Sequence, residues 1–311
     1  MKIESYLIRR RQFLRLLLGW GSAVLINPSL SALPLTKFIQ RRIPATGEIL
    51  PAIGMGSWQT FDVGEDEIEN QIRLEVLRAF FNYGGKLVDS SPMYGSSEAV
   101  IGYCLEKIKN KTPLFSATKV WMQGQWLGKK QMEDSRKLWG VDRFDLMQIH
   151  NMVDWQDHLE TLKEWKHIGK IRYIGITTSH GRHHTDLEEV MKKESLDFVQ
   201  FTYNIIDREV EQRLLPLAAE RNIAVIINRP FQGGNLFSYI NQRPLPPWAK
   251  EIDCDNWAQF FLKFIVSHPH VTCAIPATSQ VTHMRENMGA CYGNLADAKM
   301  RNKMIKYFKD L

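Results

Sequence analysis

From Ala52 onward, short apolar runs alternate with longer segments whose apolar residues recur every three to four positions. The short runs are Ala52–Gly56, Lys86–Asp89, Leu114–Val120, Phe144–His150, Ile171–Ile176, Phe198–Phe201, Ile223–Ile227 and Val271–Ile275. Their length and near-continuous apolar character suit strands buried on both faces. Between them, Glu65–Phe81 places Ile68, Ile72, Val76, Leu77 and Phe80 near helical period. Ser97–Ile108, Lys129–Leu138, Asp157–His167, Thr185–Lys192, Glu211–Glu220 and Trp257–Val266 read as further helices. Repeated strand–helix units predict an α/β chain, a (β/α)8 TIM barrel. Ahead of it, Arg41–Leu50 reads as a β-hairpin around Thr46-Gly47, and Asn294–Asp310 as an extra C-terminal helix covering the barrel. A doubly wound dinucleotide fold is disfavoured, because no strand runs into G-x-G-x-x-G. One long connection, Arg229–Asp253, carries Gly233-Gly234, Pro244, Pro246 and Pro247. A loop of that length inside a compact domain usually serves function.

Three successive strands end in chemistry. Lys86–Gly95 ends its apolar run at Asp89 and places Tyr94 five residues on; Leu114–Val120 carries Lys119; Phe144–His150 ends on His150. In a parallel barrel these ends face one mouth, where barrel enzymes keep their active sites. A tyrosine titrates near pH 10 in water, and a nearby ammonium lowers that value. Asp89 would orient Lys119, Lys119 would lower the Tyr94 pKa, and His150 would hydrogen-bond a substrate oxygen. The set suits proton transfer to a carbonyl oxygen while hydride reaches its carbon. Each residue alone has a structural explanation; their coincidence at consecutive strand ends does not.

Composition narrows the partners. The formal charge is +6, but residues 1–31 supply +4 of it. No basic stripe interleaved with aromatics is present, which argues against nucleic acid. Cys104, Cys254, Cys273 and Cys291 show neither C-x-x-C spacing nor a histidine cluster, so no metal site is expected and the thiols read as buried apolar groups, a disulfide being the alternative. Residues 1–35 form a separate segment. Arg10-Arg11-Gln12-Phe13-Leu14-Arg15 resembles the twin-arginine export motif, and the following apolar run, Leu16–Ile26, is shorter than the about 20 residues a spanning helix needs. Small residues at Ser29–Ala32 suit cleavage after Ser31. The expectation is a signal peptide read by the twin-arginine export machinery and a periplasmic protein, membrane-associated if the leader is retained. Residues 36–311 are the expected barrel domain.

From about Lys37 to the C-terminus the chain resembles the aldo-keto reductase family. The resemblance rests on Ile53-Gly54-Met55-Gly56-Ser57-Trp58, Val88–Gly95, Thr118-Lys119-Val120 and Gln148-Ile149-His150, in that family's order. It implies a (β/α)8 barrel, an NAD(P)H hydride donor and a small-molecule carbonyl substrate, with Asp89, Tyr94, Lys119 and His150 as the catalytic tetrad and Tyr94 as the general acid. It also implies that Gln200 holds the nicotinamide amide and that Arg229 and Phe231 meet the diphosphate. Thr278, Ser279, Glu286 and Asn287 then fall at the adenosine end. Trp58 and Trp121 are expected to wall the substrate pocket.

Several positions depart from the family's pattern. Thr177-Thr178 stands where members often have Ser-Asn, and Asn228 where many have a tyrosine stacking on the nicotinamide. Ala277 and His283 stand where NADPH-preferring members place Lys and Arg, with Arg285 nearby. NADPH is the expected cofactor and NADH the alternative. These departures also support a second reading, a nucleotide-sensing subunit with little turnover and a protein partner that the sequence does not name.

Overall fold

The computed structural model describes residues 37–108, 113–240 and 243–311. The expected leader, 1–35, lies outside the described residues. The chain enters as β1, Gln40–Arg42, antiparallel to β2, Ile49–Pro51. Gly47 closes this hairpin at φ 77°, a left-handed conformation that glycine adopts without a Cβ clash. Eight strands follow in one parallel sheet, neighbours in sequence order: β3 Met55–Gly56, β4 Leu87–Asp89, β5 Phe115–Val120, β6 Phe144–Ile149, β7 Ile171–Thr177, β8 Phe198–Thr202, β9 Ala224–Asn228 and β10 Cys273–Ala274. Single bridges Ile53↔Ala274 and Gly56↔Ala277 join the last strand to the first and close the barrel.

The helices between strands are α1 Glu67–Asn82, α2 Ser97–Lys107, α3 Gln125–Trp139, α4 Trp155–His167, α5 His184–Lys193 and α6 Leu214–Glu220. After β9 come α7 Asn235–Ile240 and α8 Trp257–Val266, and after β10 come α9 Val281–Gly289 and α10 Ala298–Lys309. Helix α1 starts where the Asp66 side chain accepts from Glu69 N, satisfying one of the free first-turn amides. All ten residues of α8 are buried; eight are apolar, and the buried Lys263 ammonium donates to the carbonyls of Ile252, Tyr292 and Asn294.

The barrel interior explains where the chemistry stands. Successive strand residues face opposite sides. One side packs on the helices, through Val88, Val120, Met147, Ile149, Ile174, Ile176, Val199, Phe201, Val225 and Ile227. The other side points inward and forms its own cluster: Leu87, Phe115, Ala117, Leu146, Tyr173, Phe198, Ala224 and Ile226. Ile43 and Leu50 of the hairpin join that cluster, so the hairpin plugs the N-terminal end of the barrel. Continuing by two along the same inward rows gives Asp89, Lys119, Gln148, Thr177, Gln200 and Asn228. The inward face therefore turns from apolar to polar toward the C-terminal ends of the strands.

The expected strands and helices are present with shifted bounds. Helix α3 begins at Gln125 rather than Lys129, after Gly124 at φ 82°. β3 and β10 are two residues each, because closure there runs through single bridges rather than a long ladder. The connection Arg229–Asp253 is not featureless: it holds turns of 3₁₀ helix at Gln232–Gly234 and Pro247–Ile252 around α7. All four cysteines are free and buried.

Candidate active site

The inward rows converge on one buried group. Asp89 is 2% exposed and Lys119 fully buried, and Lys119 Nζ lies 2.5 Å from Asp89 Oδ2. The same ammonium donates to Ser90 O at 2.8 Å. The other carboxylate oxygen, Asp89 Oδ1, accepts from Gln148 Nε2 at 2.8 Å and Gln200 Nε2 at 3.1 Å. Gln148 stands opposite Gly175 on β7, where a Cβ would come 2.8 Å from Gln148 Cγ, so the glycine makes room for the amide. A buried ion pair costs desolvation on both sides, and hydrogen bonds to every remaining lone pair and proton offset that cost. Here Ser90, Gln148 and Gln200 provide them.

Tyr94 lies over this pair. Lys119 Nζ is 5.1 Å from the centroid of its ring, and the ring meets His150 edge-on, at 5.7 Å and 89°. Burial pushes the phenol upward, the Lys119 ammonium pulls it down, and the Asp89 charge pushes it up again; the net result lies above the usual tyrosine value. The expected lowering by Lys119 is present but is outweighed by burial. The phenol is therefore protonated throughout the neutral range. Lys119 titrates above its usual value: burial works against its charge, and Asp89 and Tyr94 outweigh burial. His150 is held down to about 3 by burial and by the Lys119 charge, and so is neutral. Its Nδ1 is 2.8 Å from Ser91 Oγ. Ser91 Oγ in turn accepts from Met93 N at 3.2 Å, which orients its hydroxyl proton toward the ring.

Asp89, Tyr94 and His150 open onto a cavity of about 850 Å³. Its wall runs from Trp58 past Thr177, Gln200 and Asn228 to Arg229, Phe231 and Gly233, and on to Thr278, His283, Glu286 and Asn287. The expected site residues thus come together with few exceptions. Lys119 stands behind Tyr94 rather than on the wall. Thr178 and Ser279 are also off the wall; Thr178 is buried and offers its carbonyl to Asn228 Nδ2 at 2.9 Å. Trp121 does not line the cavity at all. It is 42% exposed, and Gln131 of α3 bonds both its backbone N–H and its backbone carbonyl, at 2.7 and 3.2 Å. Trp58 does line the cavity.

Some residues were missed. Gln148 shares the inward row of β6 with Leu146, and strand alternation alone could have found it. Ser91, Phe237 and Trp257 sit on loops or helices that reach the cavity only through the fold, and no local pattern marks them. Asn228 reaches both Thr178 O and, at 3.3 Å, Gln200 Oε1, while its own carbonyl oxygen accepts from Thr202 Oγ1 at 2.7 Å. The departure from tyrosine at this position is thus a polar strut across three strand ends.

The sequence pattern of the Aldo/keto reductase family matches residues 52–304. A methylglyoxal reductase of Escherichia coli (strain K12) is 25% identical over 267 residues, spanning 84% of this chain and 93% of that protein. An NADH-specific methylglyoxal reductase of the same strain is 24% identical over 319 residues, spanning 83% and 95%. Among solved structures, an aldo-keto reductase from Klebsiella pneumoniae in complex with NADPH superimposes with a TM-score of 0.71 at 22% identity, covering 88% of this chain and 95% of that one, which shows the shared fold. With the barrel and its strand-end residues in place, the match over residues 52–304 means that the chain belongs to the aldo/keto reductase family.

Proposed function

We propose that the protein reduces an aldehyde or ketone to an alcohol with NADPH, Tyr94 being the proton donor. The observation that carries this is a protonated phenol facing the cavity, with a charged lysine and a neutral histidine as its immediate neighbours. The residues present fit a nicotinamide dinucleotide. Gln200 and Asn228 offer amides at the cavity floor, and the half-buried Arg229 guanidinium is in no ion pair among the described residues. In this reading Gln200, Asn228 and Thr177 hold the carboxamide end. Arg229 and Phe231 hold the diphosphate, and Thr278, His283, Glu286 and Asn287 hold the adenosine. The bound cofactor supplies a hydride to the carbonyl carbon.

The chain's own groups manage the oxygen. His150, with Nδ1 accepting from Ser91, carries its proton on Nε2 and donates a hydrogen bond to the carbonyl. As negative charge develops on that oxygen, Tyr94 gives up its proton. The Lys119 ammonium then stabilises the phenolate in a dry setting, where such interactions are worth more than in water. Asp89 keeps the ammonium in place through Oδ2. The apolar wall, including Trp58, Phe231 and Phe237, excludes water from the site.

Two relatives act on methylglyoxal by name, so a small, reactive 2-oxoaldehyde is the first substrate to try. Purified protein should consume NADPH with methylglyoxal or an aromatic aldehyde, faster than it consumes NADH. Absence of turnover across a broad carbonyl panel, with NADPH still bound, would refute this function. Export is a separate proposal, supported by Arg10-Arg11-Gln12-Phe13-Leu14-Arg15. Replacing both Arg10 and Arg11 by Lys should leave the protein in the cytoplasm; unchanged export would contradict it.

A further inference from the structure

Two loops carry the part of the cavity wall that surrounds Tyr94. The loop between β3 and α1, 57–66, brings Trp58, Gln59 and Thr60 to the cavity, and the loop between β4 and α2, 90–96, brings Met93 and Tyr94. Each is fastened to the body of the barrel. In the first, Phe61 is fully buried, Arg73 Nε of α1 donates to Thr60 O, and Asn70 Nδ2 donates to Gly64 O at 3.2 Å. In the second, Tyr94 N donates to Ser91 O at 2.9 Å, and Ser91 Oγ meets His150 Nδ1 at 2.8 Å. Beneath both, the fully buried hydroxyls of Ser57, Ser90 and Ser97 stand in line at 2.9 and 3.1 Å.

At the rim a carboxylate joins the two loops. Asp62 Oδ1 accepts from both Ser96 N and Ser96 Oγ, each at 2.8 Å. Ser96 Oγ in turn accepts from Gly64 N at 2.8 Å, so the bonds run in both directions between the loops. Between Tyr94 and Ser96 stands Gly95 at φ 58°, where a Cβ would come 2.3 Å from Asp62 Oδ1; glycine lets the backbone lie directly against the carboxylate. The Ser96 N–H first, and its hydroxyl second, hold the Asp62 carboxyl below the usual carboxylate range, against a slight opposing effect of burial.

We infer that Asp62 is a positioning residue for Tyr94: by holding Gly95-Ser96 it fixes the phenol over Lys119 and ties it to the wall that carries Trp58. The inference rests on Tyr94 being the proton donor. Asp89 and Lys119 stand on strands and His150 directly follows one, whereas Tyr94 is carried by a loop, and a proton donor has to stay within hydrogen-bond reach of the atom it serves. On its N-terminal side that loop is pinned at Ser91 through His150. Asp62 pins it on the C-terminal side, two residues beyond the phenol. Asp62 does not itself line the cavity and acts through Ser96.

The test compares wild type with Asp62→Ala, which removes the acceptor, and Asp62→Asn, which keeps an oxygen of the same shape without the charge. Asp62 is exposed and the buried serine line stays intact, so both variants should fold and melt close to wild type. The first readout needs no turnover: hydrogen exchange of the Ser96 amide should be about tenfold faster or more in Asp62→Ala, and Asp62→Asn should recover most of the protection. The second is turnover of methylglyoxal with NADPH, counted per NADPH-binding site. A misplacement of about 1 Å can cost about a hundredfold in rate, so Asp62→Ala should lose about tenfold or more in kcat and kcat/KM alike, with NADPH affinity kept and most of the rate restored in Asp62→Asn. Unchanged exchange in Asp62→Ala would overturn the proposal. So would a wild-type kcat per bound NADPH in that variant, or an Asp62→Asn as impaired as Asp62→Ala. A wild type that turns over no carbonyl would instead sink the reductase reading, and the exchange result would still decide whether Asp62 holds the Tyr94 loop.

Discussion

Replacing Lys119 by Met should cost far more stability than a surface substitution, and most of that cost should vanish when Asp89 is replaced as well. Lys119 is fully buried and its ammonium is 2.5 Å from Asp89 Oδ2. Removing one partner of a buried pair costs about 3–5 kcal/mol, because a charge is left without compensation. Gln148 and Gln200 still donate to Asp89 Oδ1, which places the loss near the lower end, about 3 kcal/mol. For a domain of this size each kcal/mol moves Tm by about 2–4 °C, so Lys119→Met should melt about 6–12 °C lower. The double variant Lys119→Met/Asp89→Asn removes the stranded charge and should recover most of that interval. Calorimetry and urea unfolding at pH 7 would measure both. A single variant within about 1 kcal/mol of wild type, or a double variant as unstable as the single, would refute the buried pair as described.

Three further outcomes are expected. His150 titrates at about 3 in the folded protein against 6.5 when free, so between those values the unfolded chain binds the proton first. Stability should then fall as pH drops from 6.5 toward 3, by at most about 1.4 kcal/mol per pH unit from this group, and His150→Gln should flatten that slope in acid titrations followed by circular dichroism. A Cβ at Gly102 would lie 1.8 Å from the Leu138 carbonyl oxygen, so Gly102→Ala should force α2 from α3 and cost about 1–3 kcal/mol or more in urea unfolding. Glu98 is buried and accepts from Thr118 Oγ1, Ser135 Oγ and Trp139 Nε1 at 2.6, 2.8 and 3.2 Å. Glu98→Ala strands those donors and should destabilise by several kcal/mol in the same assay, at about 1–3 kcal/mol for each one left unmade.

The inward rows of the strands were legible in the sequence because burial on both faces leaves short apolar runs, and the polar residues that end them stand out. Asp89, Lys119 and His150 could be placed at one mouth on that basis alone. Tyr94 needed more, since a loop carries it over Lys119. The direction of its pKa was misjudged for the same reason: proximity to Lys119 is readable from strand order, but burial is a property of the whole assembled mouth. Trp121 follows strand β5 directly and reads as a pocket wall, yet it is absent from the cavity lining, and Gln131 ten residues on holds its backbone. Helix α9 went unread as a helix because its start, Gln280, offers no side-chain cap and only Val281, Met284 and Met288 mark its apolar face. Helix α7 is six residues long between Gly233-Gly234 and a proline-rich stretch, too short for a period to show.

The central claim is that Tyr94 delivers the proton, and the most direct test is a comparison of wild type with Tyr94→Phe. Single-turnover NADPH oxidation with methylglyoxal at pH 7 would be followed alongside NADPH affinity. General acid catalysis contributes about 10²–10⁴-fold, so the phenylalanine variant should lose at least about a hundredfold in rate while binding NADPH as tightly as wild type. A variant that reduces methylglyoxal at close to the wild-type rate would contradict the assignment and move the proton donor elsewhere in the site.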